Sequence, residues 1–145
     1  MRVIIQRVNR AKVTVDERIT GEIRKGLLLY VCFEAGDTME KLEAAVDKIS
    51  KLRIFTDNEG KMNLSLSQVE GEILSVSQFT LSWDGKKGHR PSFDKSMPPN
   101  DAKIFYRTFN DKLSEKGHKV SIGQFGAEML VDSENDGPVT FILEY

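Results

Sequence analysis

The sequence predicts a single α+β domain over residues 1–145, with a largely antiparallel, barrel-like β-sheet and two main helices. Three observations predict this class. Strand-like runs fill residues 1–33, a helical period follows over 39–52 and recurs over 102–113, and strand-like runs return between and after the helices. This grouping of elements favours an α+β domain, and 145 residues match one domain of ordinary size.

The first half of the chain contains the clearest periodic signals. Val13 and Val15 alternate with polar residues, Gly21 and Gly26 interrupt the runs, and the apolar stretch 27–33 follows, which together predict two or three strands. The spacing then becomes helical behind segment 37–40, which has the form of a capping box with Asp37 as the N-cap. A turn is expected at 56–60.

The second half is predicted to contain a strand, a long loop, a helix and a last strand. Residues 73–81 are strand-like, and residues 81–100 form a polar, proline-containing loop of a length that is often functional. The helix is expected to start at the N-cap Asn100 and to stop at Gly117. The strand 139–143 follows a turn at residues 137–138.

Composition and charge exclude several classes of function. With 21 Lys+Arg and 22 Asp+Glu the formal charge is -1, so any contact with nucleic acid must be local. The longest apolar run has seven residues, whereas a membrane helix needs about 20, and no signal-peptide pattern is present. Cys32 is the only cysteine, which excludes an intramolecular disulfide and favours a buried, inert thiol in a reducing, cytoplasmic setting.

Familiar catalytic and metal-binding motifs do not occur in the sequence. Cys32, His89 and His118 do not have the spacing of metal ligands. There is no Gly-rich phosphate loop, nucleophile elbow or Ser/His/Asp order typical of hydrolases. We therefore expect no metal and no cofactor.

The strand-like run 73–81 has an unusual distribution of polar residues. With a period of two, both faces mix apolar with uncharged polar side chains: Leu74, Val76, Gln78 and Thr80 on one face, and Ile73, Ser75, Ser77, Phe79 and Leu81 on the other. Buried polar groups need hydrogen-bond partners. The run is either the wall of a site or an ordinary strand with a few satisfied hydroxyls.

Three further features each have a functional and a structural interpretation. Basic side chains of loop 81–100 lie near aromatic residues in the sequence, which indicates either a nucleic-acid contact or only a solvated loop. The basic residues are Lys86, Lys87, His89, Arg90 and Lys95, and the aromatic residues are Trp83 and Phe93. Phe125 and Met129 indicate either a small apolar pocket or core. Because only about 5–6% of X-Pro bonds in folded proteins are cis, the residues alone predict a trans Gly137-Pro138 bond.

Taken together, residues 77–81 (SQFTL), 88–93 (GHRPSF) and 135–140 (NDGPVT) resemble the signature segments of the D-aminoacyl-tRNA deacylases. The resemblance covers essentially the whole chain. It implies a homodimeric enzyme that hydrolyses the ester between a D-amino acid and the 3′-terminal adenosine of tRNA, and that also removes glycine, including glycine mischarged on alanine tRNA.

The resemblance also implies roles for particular residues. Ser77, Gln78, Phe79 and Thr80 would line the pocket of one subunit. Gly137-Pro138, with a cis bond, would insert into that pocket from the partner subunit and would be held in place by Arg7. Phe125 and Met129 would border the adenosine, and Lys86, Lys87 and Arg90 are hypothetical tRNA contacts.

The chemistry implied is ester hydrolysis without a side-chain nucleophile. The Phe79 and Thr80 amides are candidate donors to the tetrahedral oxyanion. The motifs place no His, Asp or Glu beside Ser77 or Thr80 that could act as a base, and the 2′-hydroxyl of the terminal ribose would assist instead. Composition and periodicity leave two alternatives open: a non-catalytic dimeric module that binds the tRNA 3′ end, and a general esterase with Thr80 as nucleophile.

Overall fold

A six-stranded sheet that curls into a nearly closed barrel forms the centre of the computed structural model, which describes residues 1–86 and 88–145. The elements, in chain order, are β1 (Arg2–Val15), β2 (Arg18–Ile23), β3 (Gly26–Cys32), α1 (Met39–Lys51), β4 (Arg53–Thr56), β5 (Met62–Ser65), a 3-10 helix (Ser67–Val69), β6 (Glu72–Ser77), a second 3-10 helix (Phe79–Ser82), α2 (Pro99–Glu115), β7 (Lys119–Ile122) and β8 (Leu130–Glu144).

The sheet is mostly antiparallel and confirms the predicted α+β class. Its strand order is β2-β1-β3-β6-β7, and β8 pairs with β1. Strand β1 is antiparallel to β2, β3 and β8, whereas β3, β6 and β7 run parallel to one another. The Ser121 hydroxyl of β7 donates to the Glu22 carbonyl of β2 at 3.1 Å, so the two ends of the sheet meet.

The sheet separates two apolar clusters. On one face, α1 and α2 pack Leu42, Ile49 and Phe109 against β1 and β3. The other face has a smaller cluster from β1, β2, β3 and β6, which includes Val13 and Leu74. Strand β3 is buried on both faces, which explains why its sequence is a continuous apolar run rather than an alternating one.

Several element boundaries differ from the prediction. The strand predicted over 73–81 ends at Ser77, because the chain turns into the 3-10 helix Phe79–Ser82. The N-cap of α1 is Thr38, whose hydroxyl accepts from the Lys41 amide, while the Asp37 carboxylate accepts from the Glu34 amide at 2.7 Å. Helix α2 begins at Pro99, so Asn100 lies inside its first turn.

Two further differences concern strands. The turn at 56–60 connects β4 and β5, a hairpin that the sequence did not predict. Residues 137–138 lie within the long β8 rather than before a separate strand. Neither helix of the described chain is both long and apolar enough to cross a bilayer.

Candidate active site

A cavity of about 670 Å³ lies beside the carboxyl end of β6. Five of the candidate site residues line it: Ser77, Gln78, Phe79, Phe125 and Met129. The remaining wall comes from Val76 of β6, from the end of β3 and from parts of the segments 93–102 and 126–131. Thr80, Arg7, Gly137 and Pro138 are not among the lining residues.

The turn that follows β6 has two free main-chain donors beside this cavity, within the part of the chain that the structure describes. The Gln78 amide still donates to the Val31 carbonyl at 2.8 Å, and the chain then turns into the 3-10 helix. The Phe79 and Thr80 amides have no acceptor among the residues that the structure describes. The carbonyls of the same turn are occupied, since Gln78 accepts from the Leu81 amide and Thr80 from the Trp83 amide.

The side chains of this turn do not form a nucleophile-base pair. The Gln78 amide nitrogen donates to the Thr80 hydroxyl at 2.6 Å, and Thr80 is exposed. Within the described chain, the hydroxyls of Ser77 and Thr80 have no hydrogen bond to a His, Asp or Glu side chain. An attacking hydroxyl needs such a base, so the arrangement disfavours a covalent acyl-enzyme.

Cys32 also lines the cavity, a position that its sequence context did not predict. As predicted, the thiol is buried. Its Sγ lies 3.5 Å from the Phe79 carbonyl and 3.7 Å from the Phe33 carbonyl, and the single S–H is shared between these two acceptors. Burial, reinforced by the charge of Glu34, raises the pKa of the Cys32 thiol to about 11. A thiol with this pKa is protonated at neutral pH and is a poor nucleophile.

Cys32 should therefore react slowly with alkylating reagents in the folded protein. Because its pKa is raised to about 11, the thiolate fraction at neutral pH is about 10²-fold below that of a free thiol. We expect iodoacetamide labelling, followed by mass spectrometry, to be at least that much slower in the native protein than in urea. Labelling at equal rates in both states would contradict the assignment.

The segment around Gly137-Pro138 bulges from β8 and is exposed. Gln6 pairs with Thr140 and Val8 with Asn135, so four residues of β8 stand opposite Arg7 alone. The Asn135 side-chain amide donates to the Arg7 carbonyl at 2.9 Å and to the Val139 carbonyl at 3.1 Å, which closes the base of the bulge. The Gly137-Pro138 bond is cis, contrary to the trans bond predicted from the residues alone.

Arg7 lies beneath this bulge, with a side chain that is only 9% exposed. Its Nη1 donates to the Ile54 carbonyl at 2.6 Å. Its Nε lies 2.8 Å from the Asp136 carboxylate, but the N–H does not point at an acceptor, so this contact is an ion pair and not an aligned hydrogen bond. Arg7 thus connects the bulge to β4.

The polar loop after the 3-10 helix is exposed near the cavity. Lys86, His89 and Arg90 are exposed, and Lys95 pairs with Asp84 at 3.0 Å. Phe93 packs edge-on against Phe79 with ring centroids 5.1 Å apart. Lys87 lies outside the described residues. Among those that are described, no group of three His, Cys, Asp or Glu side chains is arranged to hold a metal ion.

Comparison with known proteins identifies the family. The family model of D-Tyr-tRNA(Tyr) deacylase matches residues 4–144. The chain belongs to this family. A protein of Lactobacillus gasseri named D-aminoacyl-tRNA deacylase is 51% identical over 144 residues, which are 99% of each chain. A protein of Thermotoga petrophila with the same name is 50% identical, over 99% of this chain and 97% of its own.

Solved structures of this deacylase fold superpose along nearly the whole chain. The c-Myc DNA unwinding element binding protein matches with a TM-score of 0.94 and 40% identity, covering 100% of this chain and 99% of its own. A probable eukaryotic D-amino acid tRNA deacylase matches with a TM-score of 0.84, covering 98% of this chain and 97% of its own. At 22% identity, the second likeness shows the fold alone.

Proposed function

We propose that this protein is a cytoplasmic D-aminoacyl-tRNA deacylase, which hydrolyses the ester between a D-amino acid and the terminal adenosine of tRNA. Membership of the family over residues 4–144 supports this activity, as do the names of the relatives at about half identity. The proposal rests chiefly on the Phe79 and Thr80 amides, which have no acceptor in the described part of the chain. They lie beside a cavity in which the described residues form no nucleophile-base pair.

The proposed reaction is direct attack of water on the ester. The Phe79 and Thr80 amides donate to the oxyanion of the tetrahedral intermediate, and one well-aimed donor of this kind contributes about 2.7–4 kcal/mol. The 2′-hydroxyl of the terminal ribose assists the attack, which explains why no catalytic triad is needed. Phe125 and Met129, on the cavity wall, border the adenosine.

We further propose that two chains assemble as a homodimer and that each cavity is completed by the partner's Gly137 and the partner's Pro138. In this chain, Gly137 and Pro138 are exposed and do not line the chain's own cavity. Strand β8, which presents them, pairs only with β1 within the part of the chain that the structure describes, and its Leu130 and Ile142 side chains are each 70% exposed. An unpaired strand with exposed apolar residues is suited to a contact between subunits.

Selection against L-amino acids would follow from this shared site. The carbonyls of the partner's Gly137 and the partner's Pro138 accept from the substrate α-ammonium, while the amides of the cavity hold the ester oxygen. An L side chain then meets the partner's main chain, whereas a D side chain points outward. Glycine, which has no side chain, is accepted, so glycine mischarged on alanine tRNA is a second substrate. This is specificity by exclusion.

Lys86 and Arg90, together with Lys87 between them, are the proposed contacts to the phosphates of the acceptor end. Replacing Lys86 and Arg90 with alanine should raise KM for D-Tyr-tRNA. It should also make the slope of log KM against log salt shallower by about 1.4, since each single-strand phosphate contact contributes roughly 0.7. Steady-state kinetics at several salt concentrations measure this. Lys61→Ala, on the exposed β4–β5 turn, is the matched control, and an unchanged slope in the double variant would remove both residues from the contact surface.

The activity itself is tested by release of D-tyrosine from D-Tyr-tRNA, with wild-type protein and Thr80→Ala side by side. We expect both proteins to release D-tyrosine, because Thr80 contributes its main-chain N–H, which alanine retains. A general esterase with Thr80 as nucleophile would lose all activity in Thr80→Ala. A binding module would retain tRNA on a filter but release no amino acid from it.

A further inference from the structure

We infer that Ser96, assisted by Ser82, is a positioning residue that holds the Thr80 amide in its orientation towards the substrate. The inference rests on the proposed function, because the direction of this amide matters to the reaction only if it binds the ester oxygen. Neither serine belongs to the sequence segments that resemble the deacylase family. Ser82 and Ser96 flank the polar loop at its two ends.

The two serines form a chain of hydroxyl groups that ends on the Phe79 carbonyl. The Ser96 hydroxyl donates to that carbonyl at 3.3 Å. Since a hydroxyl has one hydrogen to donate, the contact of 2.7 Å between the two hydroxyls is donated by Ser82. Ser82 is 1% exposed, so its hydroxyl is shielded from water, whereas Ser96 is half-buried.

The Phe79 carbonyl and the Thr80 N–H belong to the same peptide unit. This unit is planar and its two dipolar groups point in opposite directions, so a bond that fixes the carbonyl also fixes the N–H. The Thr80 amide has no acceptor of its own within the described chain. Its direction in the free protein therefore follows that of the carbonyl. The i→i+3 bonding of the 3-10 helix holds this carbonyl from within the turn, and the Ser96 hydroxyl, with the weaker thiol donor of Cys32, holds it from outside.

Ser96 is itself fixed to the main body of the protein. Its amide donates to the Phe93 carbonyl at 2.9 Å, and Ser96 forms an antiparallel bridge with Glu34. On either side of it, the Ala35 amide donates to the Lys95 carbonyl at 2.8 Å and the Met97 amide to the Phe33 carbonyl at 3.0 Å. The Ser96 residue is thus held against residues 33–35, which follow β3, and its hydroxyl connects these residues to the turn at 79–82.

The test compares Ser96→Ala with Ser96→Thr in hydrolysis of D-Tyr-tRNA. Complete loss of an oxyanion donor lowers kcat by about 10²–10³. A donor that remains but is less well aimed should cost less, so Ser96→Ala should lower kcat by roughly tenfold and leave KM within about twofold. Ser96→Thr retains the hydroxyl and should restore kcat. Ser82→Ala should cause a smaller fall in kcat, because Ser96 keeps its own bond to the carbonyl.

The matched control is Ser114→Ala, which also removes a bond from a serine hydroxyl to a carbonyl, that of Asn110 at 3.0 Å on α2. It should leave kcat and KM unchanged. Wild-type kcat in Ser96→Ala would overturn the inference while leaving the proposed function intact, as would a fall in kcat that Ser96→Thr does not restore. No hydrolysis by the wild-type protein would overturn the proposed function and this inference with it. If Ser96→Ala does not fold, Ser82→Ala decides, and wild-type kcat in that variant overturns the inference.

Discussion

Replacing Gly137 with alanine should lower kcat/KM for D-Tyr-tRNA by at least about 10²-fold, the cost of a displacement of roughly 1 Å at a reacting centre. Gly137 has φ +120, and an added Cβ would lie 2.8 Å from the main-chain nitrogen of Val139 and 3.2 Å from Nη2 of Arg7. The contact with the main chain cannot be relieved by a rotamer change. The bulge must move, and with it the carbonyls proposed to hold the substrate ammonium.

The control for this variant is Gly60→Ala. Gly60 also has a positive φ, +79, but a Cβ there meets open space. The residue lies in the β4–β5 turn, far from Gly137 in the sequence. The Gly60→Ala variant should keep the full wild-type activity at the same protein concentration. Wild-type kinetics in Gly137→Ala, measured by release of D-tyrosine, would show that the bulge takes no part in the reaction.

The same variant distinguishes a site shared between subunits from a site within one chain. A second inactive variant, Ala127→Trp, fills the cavity that Ala127 lines. When the two variants are mixed and allowed to exchange subunits, half of the dimers are mixed and each holds one intact site, so roughly a quarter of the wild-type rate should return. A site built from one chain would give no recovery.

Arg7→Ala is expected to have the second largest effect, on both activity and stability. The substitution removes the hydrogen bond to the Ile54 carbonyl and the ion pair with Asp136. A buried carbonyl left without its donor costs about 1–3 kcal/mol. The bulge also loses its contact with β4, so kcat/KM should fall by roughly 10²-fold. Arg7→Lys keeps the charge but not the fork geometry and should recover only part of the activity.

Arg10→Ala is the matched control for Arg7→Ala. Arg10 lies on the same strand and pairs with a carboxylate of β8, Glu134, but its side chain is 78% exposed. Exposed pairs of this kind contribute about 0–1 kcal/mol. Urea denaturation and kinetics of the two variants should therefore differ clearly, and equal effects would mean that the buried position of Arg7 has no special role.

The parts of the fold that the sequence predicted are those with strong periodic patterns. The apolar period of α1 and the continuous run of β3 each reflect burial against the rest of the core, so their positions follow from the residues alone. The β4–β5 hairpin escaped prediction because its strands have four residues each, too few to establish a period. Most of the 3-10 helix Phe79–Ser82 was assigned to a strand because residues 79–81 are β-branched or apolar, and only the hydrogen bonds of the turn distinguish the two structures.

The site was predictable only in part for a similar reason. Ser77, Gln78 and Phe79 belong to a recognisable segment, and the structure places them on the cavity. Cys32 and Ser96 also line it, but they lie far from that segment in the sequence and approach it through the pairing of β3 with β6 and the bridge at Glu34. Local sequence patterns do not predict such long-range contacts.

In the proposed function, the protein hydrolyses aminoacyl esters of tRNA according to the chirality of the amino acid. The most direct test is to compare the rates at which purified protein releases D-tyrosine and L-tyrosine from otherwise identical Tyr-tRNA, with Gly-tRNA as a third substrate. We expect rapid loss of the D-tyrosyl and glycyl esters, while the L-tyrosyl ester decays only at its uncatalysed rate. Equal loss of the D- and L-tyrosyl esters would contradict it.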